Sequence, residues 1–413
     1  MTDRPPPRPP RPPRQGPRPL ALHLGAGMSV LTSWPAGLTL SRSSSPPWRP
    51  ELRERAASLR RDLAGVDPEA FERAVEPEAR RRADRLLTGL ERYRRHPYRR
   101  DLDDPPPVWT EGRARITAFG PEDGPPVLFV PSLVNRGYIL DLSSRKSLVR
   151  WLAARGLRCF LIDWGAPGPE ERRFTLSDYV AGRLRRAIQA ARALSGGRRV
   201  GLVGYCMGGL LTAAAAQRQP EDVAALGLMA TPWDFHAEDR AGALRVAACL
   251  PALEPALRTL GELPIDMIQA LFAGLDPLLA MKKFSSFARK DPESDDARDF
   301  VALEDWLNDG VTLAEAVARE CIAGWYGRND TGRGDWRVAG EPVIPARIRV
   351  PALALVPAMD RIVPPASARA LGQAIPGCTI LEPPLGHIGM IVSGGAQPKV
   401  WEPLAQWLLR TVR

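Results

Sequence analysis

Lysine is nearly missing from this chain: only five of its 57 basic residues are lysine, and the other 52 are arginine. So lopsided a split reads as coding bias before it reads as function, and the formal charge of +10 has to be located before it is interpreted. It sits in residues 1–100, where 21 arginines face 11 acidic residues, whereas residues 101–413 hold 36 basic and 36 acidic side chains. A charge argument for nucleic acid or an anionic surface therefore concerns the first hundred residues alone. Even there, arginine and glutamate intermix as on a salt-bridged helix surface, and no nucleic-acid partner is expected. Cysteine is scarce and scattered: five residues, at 159, 206, 249, 321 and 378, with neither pairing nor metal-type spacing. That excludes a disulfide framework, gives no reason to expect a metal, and suits a reducing compartment. No uncharged apolar run reaches the ~18 residues of a membrane span. The basic start is followed by a short, Gly-interrupted apolar stretch, a poor signal peptide, so a cytoplasmic location is expected. No internal repeat is visible, and no Gly-x-Ser-x-Gly occurs.

What is there is globular: 413 residues, 44% hydrophobic and 25% charged, enough for a large α/β domain with additions. Residues 1–50 hold 13 prolines and seven arginines and read as a disordered tail, with Met28 a second initiation point beyond the tract. Residues 51–104 read as an N-terminal helical segment and linker: 51–96 look helical, divided into short helices by Pro68 and Pro77, and 101–109 are the linker. Residues 105–413 read as the catalytic domain, in which strands and helices alternate from 113 onward, as in a mostly parallel sheet flanked by helices. Strands are expected at 113–119, 126–132, 158–164, 199–205, 224–231 and 349–357. The stretch 235–345 between the last two has the size of a lid or cap insertion.

The chemistry concentrates at Gly204-Tyr205-Cys206-Met207-Gly208-Gly209, between an apolar strand and a small-residue helix. A strand-to-helix turn of this kind is the context of a nucleophile elbow. Glycines two before and two after relieve crowding, and the apex side chain points out of the sheet's C-terminal edge. The Met207 amide then sits at a helix N-terminus, where it can donate to an oxyanion, and the same helix end favours a thiolate. The plainer reading is a small buried thiol in a Gly-rich turn. Of the four histidines, at 23, 96, 236 and 387, His387 lies in a Gly-flanked loop after the last strand, with Asp360 at the end of the strand before it. Nucleophile, acid, base is the chain order of α/β-hydrolases. A lone histidine is more often structural; with the other two in place it is the general base. His236 competes as base but suits the wall or lid of the site better. A second oxyanion donor belongs in the loop Ser132–Arg136, and the Val134 amide is assigned to it.

The chain resembles the catalytic subunits of polyhydroxyalkanoate synthases, most closely the class III type, from about residue 105 onward. The resemblance rests on VPSLVNRGYILDL, LIDWGAPGPEERRFTLSDYV, GYCMGG, TPWDFH, the stretch from DWLNDG to WYGRND, IRVPALALVPAMDRIVPPASA and GHIGMIVSGGAQPKVW. It implies an α/β-hydrolase fold and an acyltransferase that polymerises 3-hydroxyacyl-CoA with release of CoA. By position Cys206 matches the acylated nucleophile, Asp360 the carboxylate and His387 the general base, with Asn135, Trp164 and His236 expected to contact substrate. The coenzyme A thioester is substrate, and no further cofactor is implied. Implied partners are the growing polyester, an accessory subunit, and a homo-dimeric or hetero-oligomeric assembly at the surface of storage granules. Two features depart from the family: Arg361 stands where it usually carries histidine, and the N-terminal hundred residues are unlike the short class III start. Two other functions stay open: a cysteine hydrolase of the same fold (thioesterase, depolymerase or dienelactone-hydrolase-like) and a granule-surface scaffold with a dead site.

Overall fold

Strands covered on both faces need apolar side chains at nearly every position, and the expected strands supply them. The computed structural model describes residues 14–42 and 52–412. Eight strands form one sheet: β1 (Pro107–Glu111), β2 (Ala114–Phe119), β3 (Pro126–Val130), β4 (Arg158–Asp163), β5 (Val200–Tyr205), β6 (Val223–Met229), β7 (Ala352–Leu355) and β8 (Thr379–Leu381). Their order is β1-β2-β4-β3-β5-β6-β7-β8. From β4 to β8 all neighbours are parallel; β2 runs antiparallel to β4, and β1 to β2. Every residue of β3, β5 and β7 is buried. Registers Val130↔Gly204, Tyr205↔Met229 and Leu355↔Met229 bring the C-terminal ends of the central strands to one edge. The fold is that of an α/β-hydrolase.

The described residues divide into two compact units: the chain up to Tyr98 together with Asp276–Asn308, and Arg99–Leu275 together with the chain from Asp309. The sheet belongs to the second. The first holds α1 (Leu20–Thr32), α2 (Trp34–Arg42), α3 (Arg53–Asp62) and α4 (Pro68–Arg95), with the helices Leu279–Phe287 and Asp295–Asn308. Its core packs Leu86, Leu90 and Tyr93 of α4 on Ala280, Phe284, Phe287, Ala297 and Val301.

Several expectations change here. Pro68 does mark a boundary, between α3 and α4, but Pro77 does not: α4 runs unbroken through it for 28 residues. Asp67 caps it by accepting from the Ala70 amide at 3.0 Å, and Pro68 occupies the first turn, where no N–H partner is lost. The ion pair Glu76–Arg80 straddles Pro77 and Glu78–Arg82 follows it, and packing of the C-terminal half holds the rest. Of the expected tail, residues 1–13 and 43–50 lie outside the described residues, but 20–42 form α1 and α2. Leu20 and Leu24 join the helical core, and the Arg14 guanidinium reaches Asp305 at 2.6 Å. The expected linker at 101–109 contains the start of β1, an edge strand that opens on Pro107, where a proline costs no ladder bond. The insertion between β6 and β7 contributes residues to both units, 276–308 to the helical one.

Candidate active site

β5 ends at the elbow. Cys206 follows it with φ 55° and ψ −127°, and α5 (Met207–Arg218) starts at the next residue. A side chain held in that region is strained and persists only where its surroundings over-determine it. The Cys206 amide donates to the Met229 carbonyl at 2.9 Å and its carbonyl accepts from the Gly209 amide at 3.0 Å. The flanking glycines are there for contact. A Cβ on Gly208 would stand 1.9 Å from the Val130 carbonyl oxygen, and one on Gly204 would stand 2.4 Å from the Gly209 Cα. So the first turn of α5 lies directly on the end of β3.

Asp360 lies five residues beyond β7 and His387 six beyond β8. One Asp360 oxygen accepts from the amides of Ile362 (2.8 Å) and Val363 (2.9 Å). The other lies 2.7 Å from His387 Nδ1. Both side chains are buried. With Nδ1 engaged, Nε2 is the ring nitrogen left to face the thiol. Burial works against a charged imidazolium, but the negative charge of Cys206 and the hydrogen bonds to Asp360 and Cys206 outweigh it and push His387 up to about 10. The remaining cysteines lack this setting. Burial pushes the thiols of Cys159 and Cys321 up, and that of Cys378 up to about 11, which keeps them inert.

The other residues singled out from sequence are spread around this centre. The Val134 carbonyl accepts from the Val311 amide at 3.1 Å, and Asn135 forms a bridge with Gly310, so the loop after β3 is pinned on its outer side. Trp164 is buried rather than open to a ligand: its Nε1–H donates to the Pro131 carbonyl at 3.1 Å and its ring meets Tyr179 edge-on. His236 is half-buried, its Nε2 2.9 Å from the Tyr326 carbonyl, and it lines a dish of about 540 Å³ with Arg240, Arg328 and Arg333. That geometry does not make it a partner of the thiol.

Sequence reasoning missed Tyr205, whose hydroxyl donates to the His387 carbonyl at 3.2 Å. It also missed Tyr326, whose phenol is pushed up by burial and by the charges of Cys206 and Cys321. Tyr326 rides on a π-helix, Glu320–Arg328, a deviation common at functional sites, and one no propensity announces. The Asp360 turn did carry a signal, since an aspartate accepting from the amides two and three residues on is standard turn chemistry. Among the described residues no group of three or more His, Cys, Asp or Glu side chains could hold a metal ion, and no helix is long and apolar enough to cross a membrane.

The α/β-hydrolase-fold family matches residues 125–393. Poly(3-hydroxyalkanoate) polymerase subunit PhaC of Allochromatium vinosum is 32% identical over 292 residues, 70% of this chain and 82% of that relative. The subunit of the same name from Synechocystis sp. is 32% identical over 68% of this chain and 77% of its own length. That of Haloferax mediterranei is 31% identical over 68% of this chain; the match spans only 58% of its length.

Proposed function

Because this chain belongs to the poly(3-hydroxyalkanoate) polymerase subunits of the α/β-hydrolase fold, we propose that it extends a polyester from 3-hydroxyacyl-CoA, carrying the acyl group on Cys206. The observation that supports this most is the elbow itself. A half-buried thiol at φ 55° interacts with a buried imidazole whose Nδ1 is fixed 2.7 Å from a carboxylate.

In the first half-reaction the proton of the Cys206 thiol sits on His387 Nε2, and the sulfur attacks the thioester carbonyl. The oxyanion is received by the amides of Met207 and Val134. The carbon–sulfur bond to CoA breaks, and the CoA thiolate leaves with the proton from His387. One thioester replaces another, at little thermodynamic cost. Acylated Cys206 carries no negative charge, so the strongest influence that raises His387 is gone and the imidazole becomes a usable base. It takes the proton of the 3-hydroxyl of the next unit, the alkoxide attacks the acyl-cysteine, and the new ester leaves as the thiol is restored. Asp360 stays ionised throughout and keeps the imidazole in its tautomer.

Asn135 and His236 serve as walls for the substrate, and Trp164 supports the loop that carries Val134. The parts of the 235–345 insertion that stay with the sheet unit, 235–275 and 309–345, act as the lid that keeps water from the acyl-cysteine. Of residues 105–413, all but 276–308 form the catalytic domain. The chain works at the surface of storage granules in the cytoplasm, as part of a homo-dimer or with an accessory subunit.

Incubation of the purified chain with 3-hydroxybutyryl-CoA tests the reading. CoA release with insoluble polyester supports it. Release with free 3-hydroxybutyrate alone makes the chain a cysteine hydrolase, and no release leaves the site without this chemistry.

A further inference from the structure

Asp360 holds His387 through Nδ1, and the Met359 amide holds its loop at the Leu385 carbonyl (2.9 Å), both on the side of the Asp360 turn; a further anchor comes from the strand that ends in Cys206. Tyr205, the last residue of β5, sends its hydroxyl across 182 residues of sequence to the His387 carbonyl oxygen at 3.2 Å. Its ring lies 5.2 Å from the imidazole and is tilted by 34° to it. We propose that Tyr205 is a positioning residue for His387: it ties the histidine loop to the strand that ends in Cys206 and sets the imidazole between thiol and carboxylate. The proposal rests on the triad reading above.

Side chains standing next to each other in sequence face different ways at the end of a strand. Cys206 therefore presents the sulfur while Tyr205, one residue earlier, grips the base that must reach it. The phenol suits the task. Burial, together with the charges of Cys206 and Asp360, holds it well above the ordinary tyrosine range, so it remains a neutral donor. The titratable groups facing His387 are Cys206, Asp360 and this phenol. Catalytic geometry is sensitive: displacement by ~1 Å is enough to cost ~10²-fold in rate. The other ties of the histidine loop run to the Asp360 turn, so the Tyr205 contact is the one that registers the loop against the Cys206 strand.

The test compares Tyr205→Phe, which keeps the ring, with Tyr205→Leu, which loses ring and hydroxyl. Three quantities are measured on the full chain: CoA release from 3-hydroxybutyryl-CoA, the His387 titration by NMR without substrate (assigned by its loss in His387→Gln), and the thermal midpoint. Tyr205→Phe is expected to lower kcat roughly 10- to 100-fold with KM little changed. His387 should titrate below about 10, as its contacts with Cys206 and Asp360 loosen, and Tyr205→Leu should exceed Tyr205→Phe in both effects. A Tyr205→Phe protein with wild-type kcat and wild-type titration overturns the proposal. So does one that loses stability and rate while its folded fraction titrates like wild type, since that is a structural role only. If the wild type itself releases no CoA, the polymerase reading fails, and the titration still decides the role of Tyr205.

Discussion

One oxygen of Asp360 binds His387 Nδ1 at 2.7 Å while the other is occupied by the amides of Ile362 and Val363. The carboxylate is thus fixed by its own loop before it fixes the imidazole. Asp360→Asn keeps an oxygen for the two amides but turns an NH₂ group on Nδ1, which forces the wrong tautomer. CoA release is expected to fall about 10³- to 10⁴-fold with the fold intact. Steady-state kinetics and circular dichroism of the variant check both halves.

Cys206→Ala should reduce CoA release by roughly 10⁴-fold or more, because no other thiol sits at an elbow. Cys206→Ser should retain at most a trace, the hydroxyl being a weaker nucleophile and leaving group. Near-wild-type release by the alanine variant removes the mechanism.

His387 binds its proton more tightly in the folded chain than an unfolded histidine does, so between about pH 6.5 and 10 the native state holds the extra proton. The stabilisation this supplies is complete below about pH 6.5 and is lost as pH rises through about 10. In Cys206→Ala burial still opposes the charge while the thiol's contribution is gone, so His387 should titrate lower and the loss of stability should start at lower pH. Histidine NMR and urea unfolding across this range measure the two effects. An unchanged titration in the variant contradicts the coupling.

Gly208→Ala places a methyl 1.9 Å from the Val130 carbonyl, backbone against backbone. The turn has to shift, at a cost of about 1–3 kcal/mol in unfolding free energy. The Met207 amide moves with it. Urea unfolding should show the loss, and CoA release should fall by more than stability alone explains.

Arg14 donates to Asp305 at 2.6 Å and to the Tyr98 carbonyl at 2.6 Å, all within the helical unit. Arg14→Ala should destabilise that unit by about 1–2 kcal/mol, less than a fully buried pair because Asp305 is a third exposed. Truncation to Met28 removes Arg14, Leu20 and Leu24 together and should lower the thermal midpoint further. A truncated chain that melts like the full one shows that these contacts contribute nothing.

How much of this could be read from residues depends on whether the cause was local. The elbow was legible because strand, glycines and small-residue helix stand next to one another, and β3 to β7 were legible because buried parallel strands are continuous apolar runs. The continuity of α4 was not: Pro77 argues locally for a break, and what overrules it are partners on Leu279–Phe287 and Asp295–Asn308. The same holds for Tyr205. Its place before the thiol is plain in sequence, but the carbonyl it serves lies in another loop, and no periodicity points there.

The core of the helical unit is written in two places, with Leu86, Leu90 and Tyr93 early in the chain and Phe284, Phe287 and Val301 almost 200 residues later. On the ribosome, at about 5–20 residues per second, the apolar face of α4 therefore waits roughly 10–40 s for its other half. Throughout that interval the nascent chain carries an uncovered hydrophobic stripe, the surface on which chaperones act and aggregates start. A gene fragment cut after Tyr98 would make that condition permanent: it would encode four helices whose lining is missing, and the remaining piece would carry the missing lining with nothing to cover.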